Sequence, residues 1–491
     1  MKRDIRKTPG TIKMNLKSVK LGLRAAAGAA VCAAVLFAPA AEARAALPTA
    51  DVTYLPAVTD EMTSPDYWVR EDAAADTVLA DIWSIGRLNA ATVQTKDCNM
   101  HDLYEVPQPV SAGLPDRLYE SAQSEMKGYT NGKYFDREGN PFSEEKKNAI
   151  AENCLSTAWS GEHGVLYGIA VNRTDLRAWP TEEIVTDERG DINFDYAQLS
   201  SVRVNEPMIL RSMSADGCYY YGYTNNCSGW VLAEDIAVCS NRAEWLGAWD
   251  IAEDRKLVVT DNRIYLEESN TDPEVSGLML TQGTILELAV GPGTSGLITN
   301  RSRQYNHVVY VPIRLADGSY QKKPALISKH YDVSIGSLPL TRRSILRVAF
   351  NMLGDAYGWG GMLGAEDCSG YIRGIYRCFG LELPRNTTWQ SKAPAQKYDL
   401  SGMSAEEKSA VISQLPAGTT LFFSGHEMMY LGTENGQHYV ISSVSSASDP
   451  FGPGLSRMRV RSVVINTLDI KRMNGKTWLE SLNAAVIPYQ F

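Results

Sequence analysis

Gly354-Asp-Ala-Tyr-Gly-Trp-Gly-Gly361, then Asp367-Cys-Ser-Gly370, then an apolar-periodic run closing at Gly380 and Leu383-Pro-Arg385, is the stretch whose reading decides the fold. Ile372, Ile375, Tyr376 and Phe379 recur at i, i+3, i+4 and i+7, which predicts a helix from about Ser369 with Gly380 as its stop. Cys368 then stands at a helix N-terminus, where unpaired N–H groups and the positive end of the helix dipole favour an anion. The expectation is a thiolate that forms more easily than in a free cysteine.

A thiol nucleophile needs a base, and only His426 and His438 follow Cys368. Thr420–Phe423, Glu427–Leu431, Tyr439–Ser442 and Met458–Val464 read as strands of one antiparallel sheet, with the middle two forming a hairpin about Thr433-Glu-Asn-Gly436. Folding about that turn puts His438 beside Leu431 or Gly432, at the turn end, and brings residues 442 to 444 opposite His426. His426 is therefore the candidate base. Upstream, Thr341 is a plausible N-cap for a helix carrying Ile345, Val348, Ala349, Met352 and Leu353 on one face. A cysteine helix on an antiparallel sheet is an α+β arrangement.

Further out, residues 166–250 and 251–335 have the texture of short strands punctuated by Gly, Asn and Asp, and each suits a small barrel. Residues 47–165 mix helix and loop, with one helix expected over Asp76–Leu88 and an extended Val106-Pro-Gln-Pro-Val110. His101, His163, His307 and His330 read as structural. The first 46 residues have the layout of a secretory leader, a basic segment before the apolar run Ala25–Phe37, with translation starting at Met14; an exported protein, periplasmic or extracellular, is expected, with no other membrane-spanning segment. Residues 1–43 carry net +6, so the rest of the 491-residue chain is near −15 against −9 overall, which disfavours nucleic acid as a partner. Beyond Cys32 there are seven cysteines, an odd number that leaves Cys368 as the free thiol and the other six open to fifteen pairings. No metal cluster, phosphate loop or dinucleotide fingerprint appears, so no cofactor is expected.

Residues 341–445 resemble the NlpC family of papain-like cell-wall cysteine peptidases through Tyr357-Gly-Trp-Gly-Gly361, Asp367-Cys-Ser-Gly370, Leu383-Pro-Arg385, Gln390 and Gly425-His426. Asn172–Thr181, Ser214–Gly217 and Gly229-Trp-Val231 resemble the bacterial SH3-like domain of a multidomain branch of that family. The resemblance implies a mostly β and α+β multidomain chain: leader 1–46, clip-like domain 47–165, SH3-like barrels 166–250 and 251–335, and a papain-like catalytic domain 336–491. It also implies a monomeric endopeptidase acting on peptidoglycan stem peptides or muropeptide fragments. The bond cut is the one between D-γ-glutamyl and the L-diamino acid, in peptides with a free L-alanine amino group. Cys368 is then the nucleophile and His426 the base, with Tyr357, Asp367 and Ser369 at the oxyanion and substrate. Asp175, Glu182 or Glu183 would pair with the amino end. Two departures stand out. The usual third polar residue falls on Ser442, beside Ser443, and Cys227 stands where relatives can carry a tyrosine lining the cleft. A wall-peptide-binding protein with a weakened site, or an amidase or acyltransferase on the same scaffold, would use the same residues.

Overall fold

Asp81 caps the first long helix, its carboxylate accepting the Ser84 N–H at 2.7 Å, and α1 runs over Ile82–Gln94. The helix expected over 76–88 thus starts six residues later. The segment before it is drawn away, because the Leu79 N–H donates to the Leu340 carbonyl at 2.8 Å and so pairs with a distant part of the chain rather than a helical turn. Helices α2 (Leu114–Met126) and α3 (Glu144–Glu152) follow. This computed structural model describes residues 53–155, 164–290 and 296–491; the leader with Cys32, and His163, lie outside them.

The N-terminal region buries its apolar side chains in two different bodies. Met62, Val69, Ala75, Ile85 and Leu88 belong to the core formed around the cysteine helix. Ala122, Met126, Ile150 and Ala151 pack instead with Trp179, Val185 and Trp230 of the first barrel. The segment thus packs against both of its neighbours.

Seven strands make the first sheet: β1 (Leu166–Ala170), β2 (Thr174–Arg177), β3 (Gln198–Val202), β4 (Pro207–Met213), β5 (Tyr219–Tyr223), β6 (Ser228–Leu232) and β7 (Ile236–Cys239), in the order β3-β2-β6-β5-β4-β1-β7. Helix α4 (Arg242–Trp249) packs Trp245 against its underside. The second β region is built differently. Strands β8 (Lys256–Val259), β11 (Ile285–Leu288), β12 (Asn306–Arg314), β13 (Tyr320–Ser328) and β14 (Val333–Ile335) form a five-stranded sheet, while β9 (Arg263–Tyr265) pairs only with β10 (Met279–Thr281). The two segments thus carry seven strands each and differ in how these divide into sheets, one of seven against one of five and one of two.

Thr341 caps α5 (Arg342–Phe350) in a reciprocal capping box with Ser344. Helix α6 (Cys368–Arg377) comes next, then α7 (Thr387–Gln390), β15 (Gln396–Asp399), α8 (Ala405–Ile412), β16 (Thr420–Phe423), β17 (His426–Glu434), β18 (Gln437–Ser448), β19 (Arg457–Thr467), α9 (Trp478–Ser481) and β20 (Ala484–Ile487). The expected antiparallel sheet is present, six-stranded in the order β15-β20-β16-β17-β18-β19. Its hairpin turns on Asn435-Gly436, both at positive φ, and His438 pairs with Thr433 rather than with Leu431 or Gly432. The turn sits one place later than the middle of Thr433–Gly436, which sets that pair, and a bulge between Tyr430 and Gly432 shifts the register again farther along.

Alternation along β17 divides the sheet faces. Met429 and Leu431 face α5 and α6; Met428 and Tyr430 face α8 and Trp478. The six remaining described cysteines form no disulfides, for all seven are free thiols. The reason is geometric: Cys154, Cys227, Cys239 and Cys378 are buried in four separate clusters. Among the described residues no helix is long and apolar enough to cross a membrane.

Candidate active site

The start of α6 is fixed by an anion. Asp367 is the N-cap, accepting the Gly370 N–H at 2.8 Å and the Ser369 hydroxyl at 3.1 Å, and it also accepts the Gly360 N–H at 3.1 Å. Arg385 closes on it with two bonds, Nη2 at 2.7 Å and Nη1 at 3.2 Å. Burial works against the Asp367 charge, but Arg385 and these donors outweigh it and hold the carboxyl below its ordinary range.

The first barrel braces this corner. Gly360 and Gly361 adopt positive φ and press on β3 so closely that a Cβ would lie 2.6 Å from Gln198 Cγ or from Ser201 Oγ. That contact is the physical content of the Trp-Gly-Gly signature. Beside it, Arg203 Nη2 reaches Glu366 at 3.2 Å while Arg203 Nε donates to the Gln282 carbonyl at 2.9 Å. One buried arginine therefore joins both upstream β regions to the residue preceding Asp367.

Cys368 itself is shielded. Its Sγ lies 3.7 Å from the Thr387 hydroxyl, and the Glu427 N–H is directed at the sulfur. The expected ease of ionisation is not found. Burial pushes the thiol up to about 12, with the Asp367 and Glu427 carboxylates adding to it, and the Thr387 hydroxyl and Glu427 N–H offset only part. The helix N-terminus is real, but the group that caps it is an anion, and it opposes a second negative charge next door.

His426 lies one residue from that N–H, at the start of β17. Its Nε2 is 3.1 Å from the Ser442 hydroxyl, and its ring meets Trp478 edge-on at 5.0 Å and Phe423 at 5.4 Å. Burial, joined by the Arg472 charge and opposed by Asp367, pushes the imidazole down to about 3, so it rests neutral. Both candidates are therefore uncharged at rest, a protonated thiol at the head of α6 and an unprotonated imidazole at the head of β17. His438, by contrast, is 4% exposed and has both nitrogens engaged, with Thr433 and with Ser409, each at 2.7 Å; it is a satisfied structural histidine.

The remaining candidates separate by place. Tyr357 is buried near Cys368 and Asp367, and burial together with those two charges keeps its phenol protonated, hence a donor. Asp367 and Ser369, expected at the oxyanion and substrate, are instead consumed by the cap and by Arg385, whose Nη1 is 3.0 Å from the Ser369 hydroxyl. Asp175 connects to the site, since Gln198 Nε2 donates to it at 2.9 Å and to the Gly360 carbonyl at 3.2 Å. Glu182 and Glu183 line a different groove, with Arg137, Asp216 and Cys218, and Glu183 pairs with Lys146 at 3.0 Å. Cys227 is buried, and the charge of Arg385 reaches its thiol. Sequence reasoning missed Thr387, Trp478 and Glu427. Only Glu427 carried a signal, a charged residue at an inward position of a strand otherwise built from apolar side chains.

The NlpC/P60 family model matches residues 354–485, and that of an SH3 domain of the SH3b1 type matches residues 186–232. No curated protein matches the chain. Among solved structures, an NlpC/P60 endopeptidase from Photobacterium damselae subsp. piscicida is similar at 18% identity and a TM-score of 0.70, over 89% of this chain and 98% of that one. An NlpC/P60 family protein from Bacillus cereus ATCC 10987 aligns at 16% identity over 59% of this chain and 81% of that one, with a TM-score of 0.38. The likeness to the Photobacterium protein is one of fold.

Proposed function

The chain carries an NlpC/P60 domain behind an SH3b1-type domain, and from that premise we propose that it is an exported cysteine endopeptidase cutting the D-γ-glutamyl to L-diamino acid bond of peptidoglycan stem peptides. The observation that carries the reading is the pairing of Cys368 with the head of β17. The Glu427 N–H is directed at the sulfur, His426 is the next residue on that strand, and Ser442 engages the His426 Nε2, which supports the pair as nucleophile and base.

The reaction follows from the resting protonation states. His426 Nδ1 accepts the thiol proton as Cys368 Sγ attacks the γ-carbonyl, so the S–C bond forms while the ion pair appears only on attack. The Cys368 N–H and the Tyr357 phenol donate to the oxyanion. Collapse breaks the C–N bond, and the proton on His426 goes to the leaving amine. Water, deprotonated by His426, then cleaves the thioester, and the proton returns to the sulfur. Asp175, reached through Gln198 and Gly360, is the acid best placed on the first barrel to meet an amino end.

Incubation with L-Ala-γ-D-Glu-diaminopimelate tests this: the wild-type chain releases L-Ala-D-Glu and Cys368→Ala does not. Undiminished release by the variant would overturn the assignment. The raised thiol favours one competing reading, a wall-peptide-binding protein with little turnover. Binding of the tripeptide without cleavage would select it.

A further inference from the structure

The turn that joins β16 to β17 is open to solvent: Ser424 and Gly425 are exposed, and His426 after them is half-buried. One charged side chain lies along this edge. Arg472 is itself half-buried, with its Cζ 4.4 Å from the centre of the Phe423 ring and its Nη2 donating to the Ser424 carbonyl at 3.2 Å. The Phe423 ring is in turn 5.4 Å from that of His426, and the Arg472 charge adds to burial in pushing that imidazole down.

The backbone holds this cation in place. Residues 470–478 form a tight hairpin after β19. The Trp478 N–H donates to the Ile470 carbonyl at 2.9 Å, Lys471 bridges Thr477, and the Arg472 N–H donates to the Lys476 carbonyl at 2.8 Å. The Arg472 carbonyl accepts the Gly475 N–H at 2.9 Å, with Gly475 at the positive φ that the turn requires. One hairpin therefore sets both Trp478 edge-on to His426 at 5.0 Å and Arg472 over Phe423. A guanidinium carries five N–H donors, of which the Ser424 carbonyl takes one. Among the described residues no carboxylate pairs with Arg472: the acids nearest along the chain, Asp469 and Glu480, accept from Gln437 and from the Thr477 N–H.

The chemistry of the reaction says what passes this edge. A base that has taken the thiol proton hands it to the leaving amine, so that amine departs beside His426. In a γ-glutamyl substrate the amine belongs to the diamino acid. The carbon that bears it bears a carboxyl as well, and diaminopimelate has a further carboxylate at the end of its side chain where lysine has none. A guanidinium without a charged partner, on the open edge next to the base, offers such a group two parallel N–H donors.

We propose that Arg472 is a specificity-determining residue on the leaving-group side of Cys368, its guanidinium holding a carboxylate of the diamino acid. The proposal rests on the endopeptidase reading for the identity of that leaving residue.

The test uses the whole chain and four tripeptides, L-Ala-γ-D-Glu-diaminopimelate and L-Ala-γ-D-Glu-L-lysine, each with the L-centre carboxyl free or amidated. In the wild type, kcat/KM is about tenfold higher with the carboxylate that Arg472 holds than without it. The pair of substrates that differs names the carboxylate: free against amidated for the L-centre, diaminopimelate against lysine for the side chain. In Arg472→Gln that ratio falls to about one, in Arg472→Lys part of it remains, and in Arg472→Glu, which repels a carboxylate, it inverts. A ratio between substrates cancels any effect of the substitution on the base or on folding, so a merely structural role leaves it unchanged. The same ratios in wild type and Arg472→Gln for every pair overturn the proposal. So does a change in the affinity of Arg472→Gln for L-Ala-D-Glu, which lacks the leaving residue, because that would put Arg472 on the acyl side. Calorimetry of the four tripeptides on Cys368→Ala, with and without Arg472→Gln, separates the two readings. An Arg472-dependent binding ratio with no cleavage by the wild type removes the endopeptidase and keeps the carboxylate site; cleavage with unchanged ratios does the reverse, and neither cleavage nor an Arg472-dependent ratio overturns both.

Discussion

Replacing Ser442 by alanine probes the group that engages the far nitrogen of the candidate base. The Ser442 side chain is fully buried, and its hydroxyl is 3.1 Å from His426 Nε2. His426 is pushed down to about 3 and is neutral at rest, so the bond lost joins two neutral groups and has a net worth of about 1 kcal/mol. The ring is not set free, because Trp478 and Phe423 hold it at 5.0 and 5.4 Å. If the hydroxyl only orients the base, kcat falls about fivefold while KM is little changed, since nothing on the substrate side moves. The assay is chromatographic release of L-Ala-D-Glu from the tripeptide across a range of substrate concentrations, with the melting temperature checked alongside. A fall beyond about a hundredfold, or about 2.7 kcal/mol, would refute the orienting role, as would an unchanged rate. The larger loss would mean that the hydroxyl supports the charge of the imidazolium, and the null result that ring stacking alone sets the geometry.

Iodoacetamide alkylation of Cys368 in the free enzyme should rise steadily as pH increases from about 6 to about 9, because a thiol pushed up to about 12 supplies about tenfold more thiolate per pH unit; a plateau below about pH 7 would reveal a preformed thiolate. Arg385→Leu leaves Asp367 as an unpaired buried anion, with an expected loss of about 3–5 kcal/mol read by thermal unfolding. The Asp367 carboxyl is depressed in the folded chain, so its stabilising share is present above the ordinary carboxylate pKa and is lost as pH falls through the folded one; acid denaturation of the wild type should show this and Arg385→Leu should not. Gly361→Ala would place a Cβ 2.6 Å from Ser201 Oγ at a φ of 87°, forcing the loop off β3. Cleavage should drop well before the melting temperature does, because Gly360 is the donor that holds Asp367.

The cysteine helix, its capped neighbour α5, the hairpin and the choice of His426 over His438 were all legible in the linear chain. Each depends on local rules: apolar spacing at the helical period, a cap before it, and turn residues at Asn435-Gly436. The ionisation state of Cys368 was not legible. The positive helix end is a property of the helix alone, but the burial that raises the thiol comes from packing, and with the adjacent Asp367 charge it reverses the sign. The cysteine arithmetic failed for a similar reason. Counting thiols assumes that they can meet, and the fold sends four of them to four separate clusters.

What the sequence by itself determined is therefore the helix that carries the candidate nucleophile, the strand that carries the candidate base and the architecture around them, because helix faces, strand alternation and turn chemistry act over a few residues. Only the tertiary structure decided which polar groups share the site. It spent Asp367 and Ser369 on Arg385, carried Glu182 and Glu183 to another groove, kept Asp175 in reach through Gln198, and left Glu427 unpartnered against the thiol. Such assignments depend on distances between residues far apart in the chain, and on the loss of water around them, which no local pattern encodes.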